Sequence, residues 1–325
     1  MRIALVKTSS MGDVIHTYPV VSDMRRALPG VSVHWIVEEA FRDLPGLHPG
    51  VTEVVTVAVR RWRRRPFSAA YRDEIRATRA RLAVRFDLVL DLQGLIKSAC
   101  ICRWADGPRA GYAWACAREP LASLTYQHRY RVDMSAHAIE RGRQLAAQAC
   151  GYELAGPPRF GLSVPGERLD CIPPGDYAVL LHATSRDEKR WPPDHWRALI
   201  DRLVERRLTP LLPWGSDAER AQADALCAGR PAARVLPRLG LAQCAVLLRD
   251  AAAVIGVDTG LTHLSAALER PTVALFAATP AWRFGPYWTD RAVSLGSPGV
   301  WPDPQAVIDA LGGLGAAGST IMAPQ

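Results

Sequence analysis

Side chains able to move a proton follow the first apolar run of the sequence. Ile3–Val6 has the pattern of a short buried strand, and Lys7, Asp13 and His16 come directly after it. Because ligands of parallel α/β sheets bind beyond the carboxyl ends of strands, Asp13 stands where a general base for a hydroxyl group is expected. The same carboxylate also suits the cap of the following helix, and both interpretations stay open here.

Three loops in the second half of the chain carry groups that bind anions or sugar hydroxyls. Each follows an apolar strand pattern and precedes a helix pattern, so in a doubly wound sheet all three reach one edge. Hydroxyls, an ammonium group and the N–H groups of a helix N-terminus suit a diphosphate, whereas the same residues can also act as helix caps or solvated loops. Their convergence predicts a nucleotide diphosphate site. The candidate ligands are Thr184, Ser185, Lys189, Glu219, Asp258, Thr259, Gly260 and His263.

Positive charge is concentrated in the first half of the chain. The net charge is +8, and residues 1–165 hold 24 basic against 15 acidic side chains, whereas residues 166–325 hold 16 against 17. Five arginines occupy six positions between Arg60 and Arg65, and Lys97 and Arg118 extend this basic group. Nucleic acid, an anionic membrane or a phosphorylated substrate would each fit, as would a merely solvated face. No RNA- or DNA-binding signature accompanies the arginines, so nucleic acid is not expected.

The elements that position these loops alternate between strand and helix. This alternation of strands and helices predicts an α/β architecture with parallel sheets. Residues 156–175 contain nine glycines or prolines, which is linker composition. We therefore expect an N-terminal domain over residues 1–160 and a C-terminal domain over 161–325, with a cleft between them. The predicted strands are Ile3–Val6, Val31–Val37, Val54–Val57, Leu88–Leu92, Tyr177–Leu181, Pro210–Pro213, Val254–Val257 and Val273–Phe276; the predicted helices include Val14–Leu28, Arg76–Arg85 and Pro304–Leu311.

The sequence composition indicates where in the cell the protein is expected and whether its cysteines are reduced. The N-terminal apolar run is too short for a signal peptide, and no apolar stretch of about 18 residues appears, so we expect a cytoplasmic protein. The seven cysteines lack metal-ligand spacing, and we expect reduced thiols, no zinc site and no cofactor.

Seven motifs in order carry a resemblance to a known family. In chain order they are KTSSMGDVIHTYP, AVRRWRRRPFS, DLQGLIKSA, AREPLASLTY, HATSRDEKRWP, LPWG and VDTGLTHLSAAL. With these motifs the sequence resembles glycosyltransferase family 9, the heptosyltransferases, from residue 1 to about residue 310. The resemblance implies a GT-B fold, in which two Rossmann-like, doubly wound parallel-sheet domains face a central cleft.

The resemblance also implies an activity and roles for residues. It implies inverting, metal-independent transfer of L-glycero-D-manno-heptose from ADP-heptose to the Kdo sugar of Kdo2-lipid A, peripherally at the cytoplasmic face of the inner membrane. Asp13 matches the general base. Donor-binding positions are matched by Thr184, Ser185, Lys189, Glu219, Leu239, Asp258, Thr259, Gly260 and His263. Acceptor-binding basic positions are matched by Arg60, Arg61 and Arg64, and Arg118 extends them.

Departures from the family pattern are small. Ser185 stands where relatives often have Thr, Arg64 where Lys is common, and Leu239 where a Met flanks the adenine. Other functions remain open from the sequence: a transferase that adds the second heptose, a sugar-nucleotide epimerase of the same fold, and a non-catalytic polyanion-binding protein. The second transferase would need an acceptor that already carries one heptose, and the epimerase would need no acceptor. A polyanion-binding protein would bind its ligand with an affinity that falls steeply with salt and would not need Asp13.

Overall fold

Two six-stranded parallel sheets form the framework of the protein. The computed structural model describes residues 1–64, 69–184 and 186–319, with side chains described to residue 314. The strands are β1 (Arg2–Val6), β2 (Ser32–Glu38), β3 (Val51–Val57), β4 (Leu88–Asp91), β5 (Arg109–Tyr112), β6 (His128–Tyr130), β7 (Tyr177–Leu181), β8 (Thr209–Leu212), β9 (Arg234–Val235), β10 (Ala253–Val257), β11 (Thr272–Leu275) and β12 (Ala292–Leu295).

Helices connect successive strands of each sheet. The α-helices are α1 (Met11–Ile15), α2 (Tyr18–Ala27), α3 (Val59–Trp62), α4 (Ala69–Leu82), α5 (Ile96–Cys102), α6 (Ala138–Cys150), α7 (Pro193–Glu205), α8 (Asp217–Cys227), α9 (Leu241–Arg249), α10 (Gly260–Ala267), α11 (Ala281–Phe284) and α12 (Pro304–Ser319). Short 3-10 helices cover Glu39–Phe41, Pro45–Leu47, Pro120–Thr125 and Asp187–Lys189.

The two sheets have the same strand order. The first runs β3-β2-β1-β4-β5-β6 and the second β12-β11-β10-β7-β8-β9, which is the same doubly wound order counted from β7. The order reverses between β1 and β4 in one sheet and between β7 and β10 in the other. Ligands of such sheets bind at this reversal, outside the carboxyl ends of the strands. The predicted α/β class with two Rossmann-like sheets is confirmed.

The strands β1, β4, β7 and β10 lie at the centres of the two sheets because most of their residues are apolar and buried. Ile3, Leu5 and Val6 have no exposed surface, because helices cover both faces of the sheet. In the second sheet Trp191 and Trp196 pack edge to face with ring centres 4.9 Å apart against the strands. The indole N–H of Trp191 donates to the carbonyl of Pro302 at 3.0 Å.

The chain divides into two compact units, Met1–Ser163 and Val164–Gln325. The boundary expected from the linker composition lies three residues earlier, between residues 160 and 161. Within the ranges that the structure describes, no helix combines the length and the apolar character needed to cross a bilayer.

Some helix boundaries differ from the sequence prediction. The helix predicted over Val14–Leu28 is broken into α1 and α2, because Pro19 occupies the first turn of α2 and its missing N–H favours a helix start there. The charged helix predicted over Arg76–Arg85 begins at Ala69 and ends at Leu82. The closing helix begins at Pro304 as predicted and continues to Ser319.

Candidate active site

Asp13 is held in place by its neighbours at the carboxyl end of β1. Its Oδ2 accepts the backbone N–H of Ser10 at 3.0 Å and the Ser10 hydroxyl at 2.9 Å, while the Lys7 ammonium lies 3.7 Å from Oδ1. Burial alone would raise the pKa of Asp13, but Lys7, the Ser10 hydrogen bonds and nearby His16 hold this pKa below its ordinary value. The carboxylate therefore caps α1 and is also ionised at neutral pH, ready to accept a proton.

The loop after β4 supports the loop that carries Asp13. The side-chain oxygen of Gln93 accepts both the N–H (2.8 Å) and the hydroxyl (2.7 Å) of Thr8, and its amide donates to the hydroxyl of Ser9 at 3.3 Å. The ammonium of Lys97 also donates to the Ser9 hydroxyl, at 3.0 Å. These contacts join the two loops at the reversal point of the first sheet.

A fully buried carboxylate fixes the loop after β4. Asp91 Oδ1 accepts the N–H groups of Gln93 (2.8 Å) and Gly94 (3.2 Å). Its Oδ2 accepts the hydroxyls of Ser98 (2.7 Å) and Tyr126 (2.6 Å). Burial raises the pKa of Asp91 although all four donors oppose the rise. This carboxylate positions the Gln93 and Lys97 side chains and has no direct access to solvent.

A basic cluster surrounds the same edge. The N–H of Arg60 donates to Glu38 Oε1 at 3.0 Å. Burial lowers the pKa of Lys97, and Arg60 and Arg118 lower it further, whereas Glu38 and Glu119 oppose the shift. Arg60, Lys97 and Arg118 are therefore electrostatic neighbours, and the structure brings two predicted acceptor-binding residues, Arg60 and Arg118, together with Lys97.

Arg61 and Arg64 differ in their surroundings. The Arg61 guanidinium donates to Glu39 at 3.0 and 2.9 Å and to Glu74 at 3.0 Å, and it lies over the ring of Tyr71 at 5.2 Å. Glu74 also accepts the indole N–H of Trp62 at 2.8 Å. The positive charge of Arg61 is thus already matched by two carboxylates, which sequence reasoning did not foresee. Arg64 is exposed.

Lys189 and Asp258 meet at the reversal point of the second sheet. Lys189 follows β7 and Asp258 follows β10; the Lys189 ammonium donates to Asp258 Oδ2 at 2.5 Å. The second carboxylate oxygen lies 3.0 Å from Nε2 of His263. Burial would raise the pKa of Asp258, but His263, Lys189 and a threonine hydroxyl hold it far below its ordinary value. Three predicted donor-binding residues are therefore in direct contact.

Thr279 supplies that hydroxyl and was missed by sequence reasoning. Its Oγ1 donates to Asp258 Oδ2 at 2.5 Å. It follows β11, the strand next to β10, so the signal was available: a third strand end at the same edge, followed by a Thr-Pro helix start.

The start of α10 is tightly built beside this carboxylate. Thr259 is the N-cap, and the Thr262 hydroxyl donates to the carbonyl of Val257 at 2.7 Å. A Cβ on Gly256 would lie 2.3 Å from that hydroxyl, so this strand position admits only glycine. Gly260 is the first residue of α10, where helix N–H groups are directed toward the strand ends.

The remaining predicted donor residues lie on neighbouring loops. Thr184 accepts the N–H of Arg186 at 3.4 Å, and Ser185 lies outside the described residues. Glu219 accepts the N–H of Gly215 at 2.7 Å, which gives it a structural task in the turn before α8. Leu239 is half-buried just before α9. No group of three or more His, Cys, Asp or Glu side chains suited to a metal ion occurs among the residues that the structure describes.

The fold of two doubly wound parallel sheets, each with charged side chains at its reversal point, is that of the GT-B glycosyltransferases. The sequence profile described as glycosyltransferase family 9 (heptosyltransferase) matches residues 75–310. The chain belongs to this family and is an enzyme, so the non-catalytic polyanion-binding interpretation is not supported.

Individual relatives agree over nearly the whole chain. Lipopolysaccharide heptosyltransferase 1 of Pseudomonas aeruginosa is 47% identical over 91% of this chain and 84% of its own length. Lipopolysaccharide heptosyltransferase 1 of Escherichia coli K12 is 43% identical over 90% of this chain and 93% of its own. The solved E. coli heptosyltransferase WaaC with ADP has a TM-score of 0.89 at 39% identity, covering 97% of this chain and 100% of its own. Its structure with ADP-2-deoxy-2-fluoro heptose has a TM-score of 0.84 at 40% identity, covering 95% and 98%.

Proposed function

We propose that this enzyme transfers L-glycero-D-manno-heptose from ADP-heptose to the Kdo sugar of Kdo2-lipid A, the first heptose of the lipopolysaccharide inner core. The observation that carries the chemistry is the ionised Asp13 carboxylate held by Ser10 and Lys7. The relatives named lipopolysaccharide heptosyltransferase 1 support the choice of substrates. The solved relative with an ADP-heptose analogue supports the donor.

In the proposed reaction Asp13 accepts the proton of the attacking acceptor hydroxyl. The acceptor oxygen forms a bond to the anomeric carbon of the heptose while the bond from that carbon to the diphosphate breaks, and ADP leaves with the bonding electrons. Attack opposite the leaving group inverts the anomeric configuration. The low pKa of Asp13 keeps the base ionised throughout the neutral range, at the expense of intrinsic basicity.

The second unit supplies charge for the leaving diphosphate in this proposal. Lys189 is the ammonium at the donor loop, and the N–H groups at the start of α10 add fixed partial positive charge. Lys189 pairs with Asp258 in the protein alone, so a bound diphosphate would compete with this carboxylate for the same cation. We propose that these groups neutralise the diphosphate without a metal ion.

The acceptor is anionic, which fits the basic cluster of the first unit. Kdo carries a carboxylate and lipid A carries phosphates, and Arg60, Lys97, Arg118 and exposed Arg64 lie on the unit that holds Asp13. Arg61 acts indirectly in this proposal, because its bonds to Glu39 and Glu74 fix the segment that carries Arg60. We further propose a cytoplasmic enzyme that acts peripherally at the inner membrane, where this acceptor resides.

The test measures ADP release from ADP-heptose in EDTA, with and without deacylated Kdo2-lipid A. Acceptor-dependent release is expected, and Asp13→Ala should lower kcat by about 10²- to 10⁴-fold with little change in ADP affinity. Asp43→Ala, which removes an exposed carboxylate of the same unit, is the control and should retain activity. Release only with an acceptor that already carries one heptose would assign the second transfer instead. Near-normal turnover of Asp13→Ala would exclude the base.

A further inference from the structure

Large apolar side chains form an exposed ridge on the first unit. Ile96 is 45% exposed, Leu121 56% and Leu124 61%. Leu121 and Leu124 lie three residues apart on the 3-10 helix Pro120–Thr125, where such side chains are directed to the same side. Single exposed apolar residues are ordinary on protein surfaces, whereas several on neighbouring elements point to a contact surface.

Packing on the buried side places the elements that carry these three residues against each other. Helix α5 packs on the 3-10 helix through Ala99 and Ala122, which share a buried cluster. The N–H of Ile96 donates to the carboxylate of Glu119 at 2.7 Å, which ties the start of α5 to the residue before the 3-10 helix. Ile96, Leu121 and Leu124, here called the apolar ridge, therefore belong to one rigid surface.

Cations border the apolar ridge. Lys97 and Arg118 are electrostatic neighbours, and Arg103, at the end of α5 two turns after Ile96, is exposed on the same helix face. The acidic neighbour, Glu119, is already engaged by a backbone N–H. An apolar crest with positive flanks is complementary to an anionic lipid surface, where aliphatic side chains enter the headgroup boundary and cations meet phosphates.

The turn before the 3-10 helix carries an exposed aromatic residue. Trp114 is 52% exposed, and its turn is closed by the N–H of Ala117 donating to the carbonyl of Ala113 at 2.9 Å. Tryptophan side chains favour the boundary between lipid headgroups and water. The same turn leads to Arg118, so aromatic, basic and aliphatic groups follow one another along one segment.

We propose that the apolar ridge, together with Trp114 on the preceding turn, docks the enzyme onto an anionic phospholipid bilayer. The inference deepens the proposed function, because it identifies the surface through which the enzyme would reach a membrane-bound acceptor. Lys97 links the two sites: it is adjacent to Ile96 and donates to the Ser9 hydroxyl, next to the serine that holds Asp13. Docking through the ridge would bring the base to the level of the lipid headgroups.

The experiment is flotation of the full chain with vesicles of phosphatidylethanolamine and phosphatidylglycerol at 3:1, against vesicles of phosphatidylcholine alone. Binding should favour the anionic vesicles and weaken at high salt. The double variant Leu121→Ser/Leu124→Ser should lose about tenfold or more of the partition coefficient. Trp114→Ser should weaken binding separately, which covers the case of a misfolded double variant.

The control is Val204→Ser/Val300→Ser, which removes exposed apolar side chains from the second unit and should leave binding unchanged. Equal binding of the ridge variant and the control would overturn the proposal. A change in oligomeric state of the ridge variant, without a change in flotation, would overturn it in favour of a protein contact. Flotation uses neither donor nor acceptor, so its result stands apart from the transfer assay. The ridge variant should keep full activity on the deacylated acceptor.

Discussion

Replacing Asp258 by Asn should strongly destabilise the second unit. The side chains of Lys189 and Asp258 are only 14% and 9% exposed, so the variant leaves the Lys189 ammonium largely buried without its counter-ion. Removing one partner of a buried pair costs about 3–5 kcal/mol, and the partial exposure of Lys189 favours about 3 kcal/mol. For a domain of this size each kcal/mol lowers the Tm by about 2–4 °C, so a fall of about 6–12 °C is expected.

The assay is differential scanning calorimetry of Asp258→Asn beside Asp201→Asn. Asp201 pairs with Arg230 at 2.7 and 2.9 Å but is 52% exposed, so its loss should cost about 1 kcal/mol at most. Equal Tm changes in the two variants would refute the argument from burial.

Acidification gives a second check on the same pair. The pKa of Asp258 is lowered by folding, so the folded state binds fewer protons and the stabilisation is present above the unfolded pKa of about 3.9. It is lost as the pH falls through that value toward the folded pKa. The stability difference between the parent and Asp258→Asn should therefore shrink as the pH falls below about 4. A difference that persists under acid would contradict an ionic origin.

Two further variants probe the first unit. Lys7→Met should move the acid limb of the kcat–pH profile upward, because loss of the ammonium lets burial raise the pKa of Asp13. An unmoved limb would exclude Lys7 as a group that lowers this pKa. Tyr126→Phe removes one of the donors to buried Asp91 and should cost about 1.5–3 kcal/mol in chemical denaturation. A loss below about 0.5 kcal/mol would show that Asp91 does not depend on this bond.

Much of the fold could be predicted from the sequence, because central parallel strands are apolar on both faces. β4, β7 and β10 consist of buried residues, as does β1 after its exposed first residue, and the sequence predicts each of the four to within a few positions. The strands not predicted lie toward the edges of the sheets. β6 has two exposed residues of three, and β9 has only two residues, so neither shows the buried-strand pattern.

The candidate site was predicted where chemistry follows directly from a strand end. Lys189, Asp258 and His263 were singled out as separate loop residues, and the structure places them in contact. Contacts between distant segments escaped prediction. Gln93 bonds Thr8 across 85 positions, and nothing in the local pattern of Gln93 indicates this partner. Thr279 bonds Asp258 across 21 positions; its place after a strand end marks it as a site residue, but the sequence does not identify its partner.

The pairing of Arg61 with two glutamates lowers the number of positive charges that the arginine-rich segment offers to an anionic partner. Only cations free of an internal partner release condensed counterions from an anionic surface or displace its hydration. Arg61 stays engaged with Glu39 and Glu74, so it contributes rigidity and little field beyond its own neighbours. The effective valence of the segment is therefore lower than its formal charge, and its attraction for anions depends on Arg60, Arg63 and Arg64 rather than on Arg61.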